Sequence, residues 1–331
     1  NLIFQVPETV RSIPVAKLFA LRQQTQVLWD RYFSSIEKIV FTTLEIIRER
    51  LPGEAYRDGR VWNSGPGALV SLPQPPGLSP PQQSALHLED KFTAVVYAQL
   101  GAQLTPTSPL YRLVKSVAKS RHATLILVLW SSDKPAPARS RWPPLPGDVT
   151  LHIVEGAVGA PQRRFAPHPL IATSAVLSLD EDAVLTTDEV DFAFHVWKSF
   201  PDRIVGYPAR SHYWDDAKGS WGYTSKWTND YSIVLTGAAF YHRYYNYLYT
   251  EWLSPLLLKT VEQSHNCEDI LINFLVSHVT RRPPIKVTQR KQYKEQPPGG
   301  GPRQCSLGLE PGSFLTYLLT SLSGMNQGSS E

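Results

Sequence analysis

From residue 92 onward, short apolar runs alternate with segments of helical periodicity, and this alternation constrains the fold more than any other feature of the sequence. Residues 92–98, 122–130, 149–154 and 175–179 are mainly apolar runs of strand length. Between the first two, residues 109–119 repeat apolar side chains at helical spacing. Strands that alternate with helices usually form a mostly parallel sheet covered by helices. The sequence therefore predicts an α/β fold whose ligands bind at the carboxyl ends of the strands.

The remaining parts of the chain predict three further regions. Residues 1–55 have helical periodicity but are too few for a good core of their own, so we interpret them as the helical remnant of an upstream domain. Residues 56–90 are a linker rich in Pro and Gly. The α/β domain spans 91–295, and the tail, 296–331, is predicted to be partly disordered. Because the chain opens in mid-pattern, we expect a fragment whose targeting segment is missing.

Composition and missing motifs exclude several classes of function. The chain of 331 residues has 33 basic and 29 acidic residues, and this small excess of positive charge does not require a nucleic-acid partner. Two cysteines are too few for a cysteine-based zinc site. No apolar run reaches the ~18 residues of a membrane span. The sequence also lacks a Gly-x-Ser-x-Gly elbow, a Walker loop and a Gly-x-Gly-x-x-Gly motif, so hydrolase and dinucleotide-binding functions have no support.

An acidic motif, Asp180-Glu181-Asp182, directly follows the apolar run at 175–179. Side chains alternate along a strand, so we expect Asp180 and Asp182 to share a face. Hard divalent cations bind carboxylate and phosphate oxygens together, so the motif is suited to a metal-bridged diphosphate. A solvated turn before the next helix is the structural alternative, and the motif alone leaves both open.

A second acidic motif, Asn-Cys-Glu-Asp at 266–269, stands at a predicted helix start. Asn266 is a candidate helix cap. Acidic residues in a first turn commonly stabilise the helix dipole. The functional alternative is a carboxylate at Glu268 or Asp269 that grips a substrate hydroxyl or stabilises developing positive charge.

An arginine, Arg164, lies 16 residues before Asp180, after a predicted strand. A guanidinium recognises phosphate oxygens in bidentate geometry, although a single arginine is more often a surface residue. Arg164 is therefore a candidate ligand for a diphosphate.

These motifs, in this order, resemble the carboxyl-terminal glycosyltransferase domain of the exostosin family, and most of all its exostosin-like members. The resemblance covers about residues 90–295 and rests on the segments 175–182, 203–210, 221–232, 234–240, 266–269 and 283–288. Residues 28–33 resemble the end of the family's first glycosyltransferase domain.

The resemblance implies a GT-A fold and a retaining glycosyltransferase. It implies transfer of α-linked N-acetylglucosamine from UDP-N-acetylglucosamine to a heparan sulfate or heparin chain that ends in glucuronic acid, with Mn²⁺. It further implies the lumen of the Golgi or endoplasmic reticulum, with a membrane anchor upstream, and no nucleic-acid partner.

The family's site residues correspond to positions in this chain. By the resemblance, Asp182 binds the metal, Asp180 contacts the ribose or the donor sugar, and Arg164 reaches the donor. Asp269 orients the donor and Glu268 contacts the acceptor. Further substrate-binding candidates are Gln99, Ser131, Glu181, Asn266 and Arg303.

The chain departs from the family pattern in three places. Ser131 and Ser132 follow Trp130, where the family often has an asparagine, and Arg303 stands two residues before Cys305 rather than three. The tail after Cys305 also diverges. The resemblance implies a bond between Cys267 and Cys305, which a lumenal location allows.

Two alternatives stay open. The divergent tail favours, as a second hypothesis, a catalytically weak UDP-binding subunit that pairs with another exostosin family subunit. For the reaction itself, retention is compatible with a covalent carboxylate nucleophile or with front-face attack. We favour front-face attack, because no single carboxylate in the sequence stands out as a nucleophile.

Overall fold

The computed structural model describes residues 14–50, 75–78, 81, 88–99, 101, 104–156, 160–215, 220–224, 231–264, 267–280 and 282–288. Helix α1 (Val15–Leu28), a π-helical turn (Trp29–Phe33) and helix α2 (Ile36–Arg50) belong to one compact unit, and the main sheet belongs to a second. The helical periodicity of the first region is thus confirmed over 15–50. Its origin in an upstream domain stays a prediction. The linker and tail lie almost wholly outside the described residues.

Ten strands are present in the described residues. They are β1 (Phe92–Ala98), β2 (Ala123–Trp130), β3 (Thr150–Glu155), β4 (Ala175–Asp180), β5 (Val205–Gly206), β6 (Ala209–Asp215), β7 (Ser220–Thr224), β8 (Ile233–Val234), β9 (Ala238–His242) and β10 (Ile285–Lys286). Seven form the main sheet in the order β10-β5-β9-β4-β1-β2-β3. All of its strands run in the same direction except β9, which is antiparallel to β4 and β5. The predicted mostly parallel α/β sheet is confirmed, consistent with a GT-A-like fold.

Helices connect the strands of this second unit. They are α3 (Pro109–Ala118), α4 (Thr187–Ser199), α5 (Tyr244–Tyr247), α6 (Pro255–Ser264) and α7 (Glu268–Thr280), with 3₁₀ turns at Arg139–Arg141 and Pro161–Phe165 and a π-helical turn at Leu248–Trp252. None of the helices in the described part of the chain combines the length and hydrophobicity that crossing a membrane requires.

The core lies between the sheet and helices α3 and α4. Phe92 of β1 is fully buried, and its ring lies 5.2 Å from Phe240 of β9 and 5.3 Å from Phe194 of α4. Helix α4 begins with a capping box. The Thr186 hydroxyl accepts from the Glu189 amide at 3.3 Å, and the Glu189 carboxylate accepts from the Thr186 amide at 2.8 Å. This cap fixes where the chain turns into α4 after the acidic motif.

The order of the strands creates a crevice beside β1. The chain builds β1, β2 and β3 toward one edge and then returns to place β4 on the other side of β1. The connections therefore diverge at the carboxyl ends of β1 and β4, and in open α/β sheets ligands bind at such a point. Tyr97 of β1 pairs with Asp180 of β4, so the end of the acidic strand lies at this position.

Two features differ from the sequence-based expectations. The strand ends at Asp180, because the Ala183 amide donates to the Asp180 carbonyl at 3.0 Å and closes a turn over Glu181 and Asp182. Strand alternation therefore does not place Asp180 and Asp182 on one face, and that expectation was wrong. Strand β9 was also missed, since Ala238 and Ala239 have low β propensity and burial decides their conformation.

Candidate active site

Arg164 is the buried cation at the carboxyl end of β4. It lies in the 3₁₀ turn Pro161–Phe165 and is only 3% exposed. Its Nη2 donates to Asp180 Oδ1 at 2.6 Å, and its Nε donates to the Pro161 carbonyl at 3.2 Å. The guanidinium carbon stands 5.0 Å from the centre of the Tyr97 ring. These contacts fix the orientation of the guanidinium, while its Nη1 is buried without a hydrogen-bond partner in the described structure.

Two carboxylates at the start of α7 face the same arginine. Glu268 Oε1 lies 4.0 Å from Arg164 Nη2, and the Glu268 side chain is buried. Asp269 Oδ1 accepts from the Thr236 amide at 2.8 Å and from the Thr236 hydroxyl. Both carboxylates are in the first turn of α7, where the helix dipole favours negative charge. Glu268 Oε2 is buried and has no hydrogen-bond partner among the described residues.

Burial changes the protonation of these carboxylates. Burial, with a contribution from the Asp269 charge, raises the pKa of Glu268 to about 8, although Arg164 opposes the shift. Burial also raises the pKa of Asp269, opposed by Arg164 and by the Thr236 hydrogen bonds. We therefore expect Glu268 to be mainly protonated at neutral pH.

A glycine allows the approach of Asp180 to the β8–β9 connection. The Asp180 amide donates to the Gly237 carbonyl at 2.9 Å. A Cβ atom at position 237 would overlap Asp180 Oδ2, closer than nonbonded atoms tolerate. The Asp180 carboxylate can therefore occupy this position because residue 237 has no side chain.

The other predicted residues near β1 are brought to the same edge. Glu181 is buried, and its Oε1 accepts from the Gln99 amide at 2.8 Å. The Ser131 amide donates to the Ala98 carbonyl at 2.7 Å. Glu181 therefore fixes the chain after β1, which places Gln99 and Ser131 along the crevice. Their predicted contacts with a substrate stay predictions.

Asp182, the predicted metal ligand, is half-buried in the turn after β4. Within the described residues, no group of three or more His, Cys, Asp or Glu side chains could hold a metal ion. Mg²⁺-like cations are commonly held by one or two carboxylates together with substrate phosphates. The described residues are thus compatible with a metal that binds together with the diphosphate.

Three predicted residues cannot be placed. Asn266 and Arg303 lie outside the described residues, as does Cys305. Cys267 is buried and has a positive φ of 76°, immediately before Glu268. The predicted Cys267–Cys305 bond therefore stays a prediction.

Sequence reasoning missed several residues that shape the site. Tyr97 lies under Arg164, Thr236 holds Asp269, and Asn273 hydrogen-bonds the Asp269 carbonyl at 2.7 Å. The Thr236-Gly237 pair between two apolar runs was the available signal, because such a pair marks a turn or a close backbone approach. Tyr97 and Asn273 sit inside apolar segments and carry no comparable local signal.

Comparison with known proteins identifies the relatives of this chain. It is 59% identical to Exostosin-1 of Drosophila melanogaster over 91% of this chain and 42% of that protein. It is 55% identical to Exostosin-1b of Danio rerio and 54% identical to Exostosin-1 of Bos taurus, each over 89% of this chain and 40% of the relative. The chain thus spans less than half the length of these curated relatives. The expected exostosin-like subtype stays a prediction.

A solved structure and a family match complete the comparison. The crystal structure of 4-diphosphocytidyl-2C-methyl-D-erythritol synthase from Anaerococcus prevotii covers 50% of this chain and 78% of its own, with a TM-score of 0.33 and 12% identity, too distant to support an argument. Residues 92–308 match the family described as the glycosyl transferase family 64 domain. The chain therefore belongs to the exostosin family and carries a family 64 glycosyltransferase domain.

Proposed function

We propose that this chain transfers α-linked N-acetylglucosamine from UDP-N-acetylglucosamine to the glucuronic acid end of a heparan sulfate or heparin chain, with retention of configuration and with Mn²⁺. One observation carries the proposal. A buried arginine, paired with Asp180 through one nitrogen, leaves Nη1 without a partner in the described structure, beside two carboxylates at the carboxyl end of the sheet. Such a site suits an anionic donor with a sugar positioned next to the carboxylates.

The donor diphosphate is the proposed partner of Arg164. The guanidinium is held by Asp180 and by the Pro161 carbonyl, so it is already oriented before a ligand arrives. A buried, unsatisfied N–H group costs free energy that a phosphate oxygen would recover. Asp180, whose side chain is 45% exposed, is available to the ribose or the sugar on its open side.

The charges in the site favour a divalent cation with the donor. One guanidinium faces three acidic side chains, Asp180, Glu268 and Asp269, so the acids outnumber the cation. The site therefore has no surplus positive charge to neutralise a diphosphate. Bound Mn²⁺ would supply that charge and would stabilise the departing diphosphate. Asp182 is the residue proposed to hold it.

Neither buried carboxylate is well prepared to act as a nucleophile. Glu268 is mainly protonated at neutral pH, and Asp269 Oδ1 accepts two hydrogen bonds from Thr236. We therefore favour front-face attack. The acceptor hydroxyl oxygen bonds to the anomeric carbon as the bond to the diphosphate breaks, and the leaving phosphate oxygen takes the acceptor proton. Asp269 orients the donor and stabilises developing positive charge, and Glu268 contacts the acceptor.

Titration of UDP-N-acetylglucosamine by calorimetry, with Mn²⁺ and then with a chelator, tests the donor site. We expect binding that depends on the metal and is lost in Asp182→Ala. Asp188→Ala is the matched control, because Asp188 is an acid in the first turn of α4, outside the proposed site. Equal binding by both variants would contradict the role of Asp182.

A transfer assay on an acceptor ending in glucuronic acid tests the reaction. Transfer of N-acetylglucosamine with retained configuration is the expected result. Donor binding without transfer would instead favour the UDP-binding subunit that pairs with another exostosin family subunit. Absence of donor binding under both conditions would overturn the proposed function. The lumenal location and the membrane anchor remain expectations.

A further inference from the structure

Asn273 is a buried amide in the middle of helix α7, and it bonds both to strand β8 and to its own helix. It is 1% exposed. Its Oδ1 accepts from the Val234 amide at 2.9 Å, and its Nδ2 donates to the Val234 carbonyl at 2.7 Å. The same Nδ2 donates to the Asp269 carbonyl at 2.7 Å. The side chain therefore pairs with β8 as a neighbouring strand would, and also contacts the first turn of its own helix.

This pairing joins three parts of the site. Val234 lies two residues before Thr236, which donates its amide and hydroxyl to Asp269 Oδ1. The next residue, Gly237, accepts from the Asp180 amide at 2.9 Å. One short backbone segment is thus held by Asn273 and Asp269 on one side and by Asp180 on the other. A shift of α7 along β8 would break the Asn273 and Thr236 hydrogen bonds together.

A role in stability alone does not explain the choice of residue. Most of the other buried side chains of α7 are apolar, including Leu271, Ile272 and Leu275. Asparagine is a poorer helix former than leucine, and a buried amide contributes little net stability over a well-packed apolar side chain. An amide does fix the orientation of the helix, because its one acceptor and two donors each bond to a backbone group at a fixed position. Asn273 fixes this orientation one helical turn after Asp269.

We propose that Asn273 is a positioning residue for the transfer reaction. By fixing α7 against the β8–β9 connection, it sets the Asp269 carboxylate relative to Arg164 and Asp180. It does not touch the substrate. This inference rests on the proposed function, in which Asp269 orients the donor sugar.

The test compares Asn273→Asp with a control on the same helix. Aspartate has the same shape and keeps an acceptor for the Val234 amide, but places an oxygen where Nδ2 donates to the Val234 and Asp269 carbonyls. The control is Thr280→Val. It removes a buried hydrogen bond from Thr280 Oγ1 to the Val276 carbonyl, 2.7 Å long, about 16 Å along α7 from Asp269 at ~1.5 Å per residue.

Steady-state kinetics well below each unfolding midpoint gives the first readout. We expect Asn273→Asp to lower kcat by roughly ten- to a hundredfold, the scale of a displacement of about 1 Å in a reacting group, with little change in the KM for the donor. Thr280→Val should lose stability and keep its kcat. An unchanged kcat in Asn273→Asp, or an equal fall in Thr280→Val, would overturn the proposal.

Amide hydrogen exchange at Thr236 gives a second readout that needs no activity. In the parent chain this amide is bonded to Asp269, so we expect slow exchange, faster exchange in Asn273→Asp, and slow exchange in Thr280→Val. Unchanged protection in Asn273→Asp would show that Asn273 does not hold Asp269 in place. If the parent chain transfers no sugar, the proposed function has failed, and exchange alone decides the positioning of Asp269.

Discussion

Arg164 is the buried cation with which all three acids of the candidate site interact. Burial of an arginine costs free energy unless carboxylates and hydrogen bonds compensate for the lost water. Here Asp180 supplies a close ion pair at 2.6 Å, and Asp269 adds attraction from α7. The arginine in turn limits the rise in the pKa of both α7 carboxylates. The three acids and the arginine therefore function as a unit, and loss of one changes the others.

Replacement of Arg164 by lysine tests whether the guanidinium fork is needed. Lysine keeps the charge but cannot hold Asp180 and present a second nitrogen in the same plane. We expect Arg164→Lys to weaken donor binding about tenfold or more, equivalent to ~1.4 kcal/mol, by calorimetry. Arg163→Lys is the control, because Arg163 is next to Arg164 in the sequence and its side chain is exposed. Equal affinities in the two variants would argue against a donor contact at Arg164.

At the scale of elements, the antiparallel strand β9 builds the site. Because β9 runs against β4, its beginning lies beside the end of β4, with Leu179 opposite Ala238. A parallel strand in that position would place its own end there. The reversal brings Thr236 and Gly237 to Asp180, and Thr236 then connects the sheet to α7 through Asp269. The candidate site is therefore formed by the carboxyl ends of β1 and β4 and by the start of β9.

Substitution of Gly237 by alanine should separate binding from stability. The added Cβ would overlap Asp180 Oδ2, so the carboxylate must move away from Arg164. We expect a clear loss of donor affinity by calorimetry with a small change in the midpoint of thermal unfolding, because the end of a side chain gives way easily.

Two other glycines provide the controls for this prediction. In Gly206→Ala the Cβ would meet the Ala238 carbonyl oxygen at 2.6 Å, and backbone gives way less easily, so the unfolding midpoint should fall. In Gly147→Ala nothing lies within 4 Å, and neither property should change. Gly237→Ala that keeps full donor affinity would show that the position of the Asp180 carboxylate is unimportant.

The capping box of α4 is expected to affect stability and not donor binding. Thr186→Ala removes the hydroxyl that accepts from the Glu189 amide, and loss of such a cap typically costs about 1 kcal/mol. We expect this fall in the free energy of unfolding, measured with urea, and an unchanged affinity for the donor. A change in affinity would indicate that the start of α4 also positions the acidic motif.

For the whole molecule, the buried Glu268 links stability to pH. Its pKa is about 8 in the folded state and 4.5 as its ordinary value, so between these pH values the folded state retains a proton that the unfolded state has lost. The contribution of Glu268 to the free energy of unfolding therefore falls as pH rises from about 4.5 to 8.

Glu268→Gln tests this linkage, because glutamine does not ionise. We expect the variant to lack this fall, so that the parent loses stability relative to it by at most about 1.4 kcal/mol for each pH unit across that range. Urea unfolding at several pH values measures the difference between the two profiles. Glu262→Gln, an exposed change on α6, should follow the parent. Parallel profiles for parent and Glu268→Gln would contradict a raised pKa.

The sequence predicts strands β1 to β4 and the start of α4 well for a physical reason. Central parallel strands are buried on both faces, so β1, β2 and β4 appear as continuous apolar runs, and the Thr186–Glu189 box is a local signal. The acidic motif was recognised as a strand end with a turn as the alternative, and the backbone hydrogen bond from Ala183 to Asp180 decides for the turn.

The rest of the site depends on contacts between distant residues. In the sequence, Asn273 is one position in a mainly apolar helix, and its role follows only from its hydrogen bonds to β8. Tyr97 is one position in an apolar strand, and its role follows only from the position of Arg164 over its ring. Strand β9 is recognisable only from its burial between β4 and β5. Such features follow from packing in three dimensions and not from a local pattern.

The reversed strand also has a consequence for synthesis of the chain. As the chain emerges from the ribosome, β4 pairs with β1, but its other edge waits for Ala238–His242. At about 5–20 residues per second, synthesis of the segment between Asp180 and Ala238 takes several seconds. During that interval the nascent protein carries an unpaired apolar edge, which favours association with other chains and binding by chaperones. The edge of β4 beside the candidate site is thus protected only after β9 has been made.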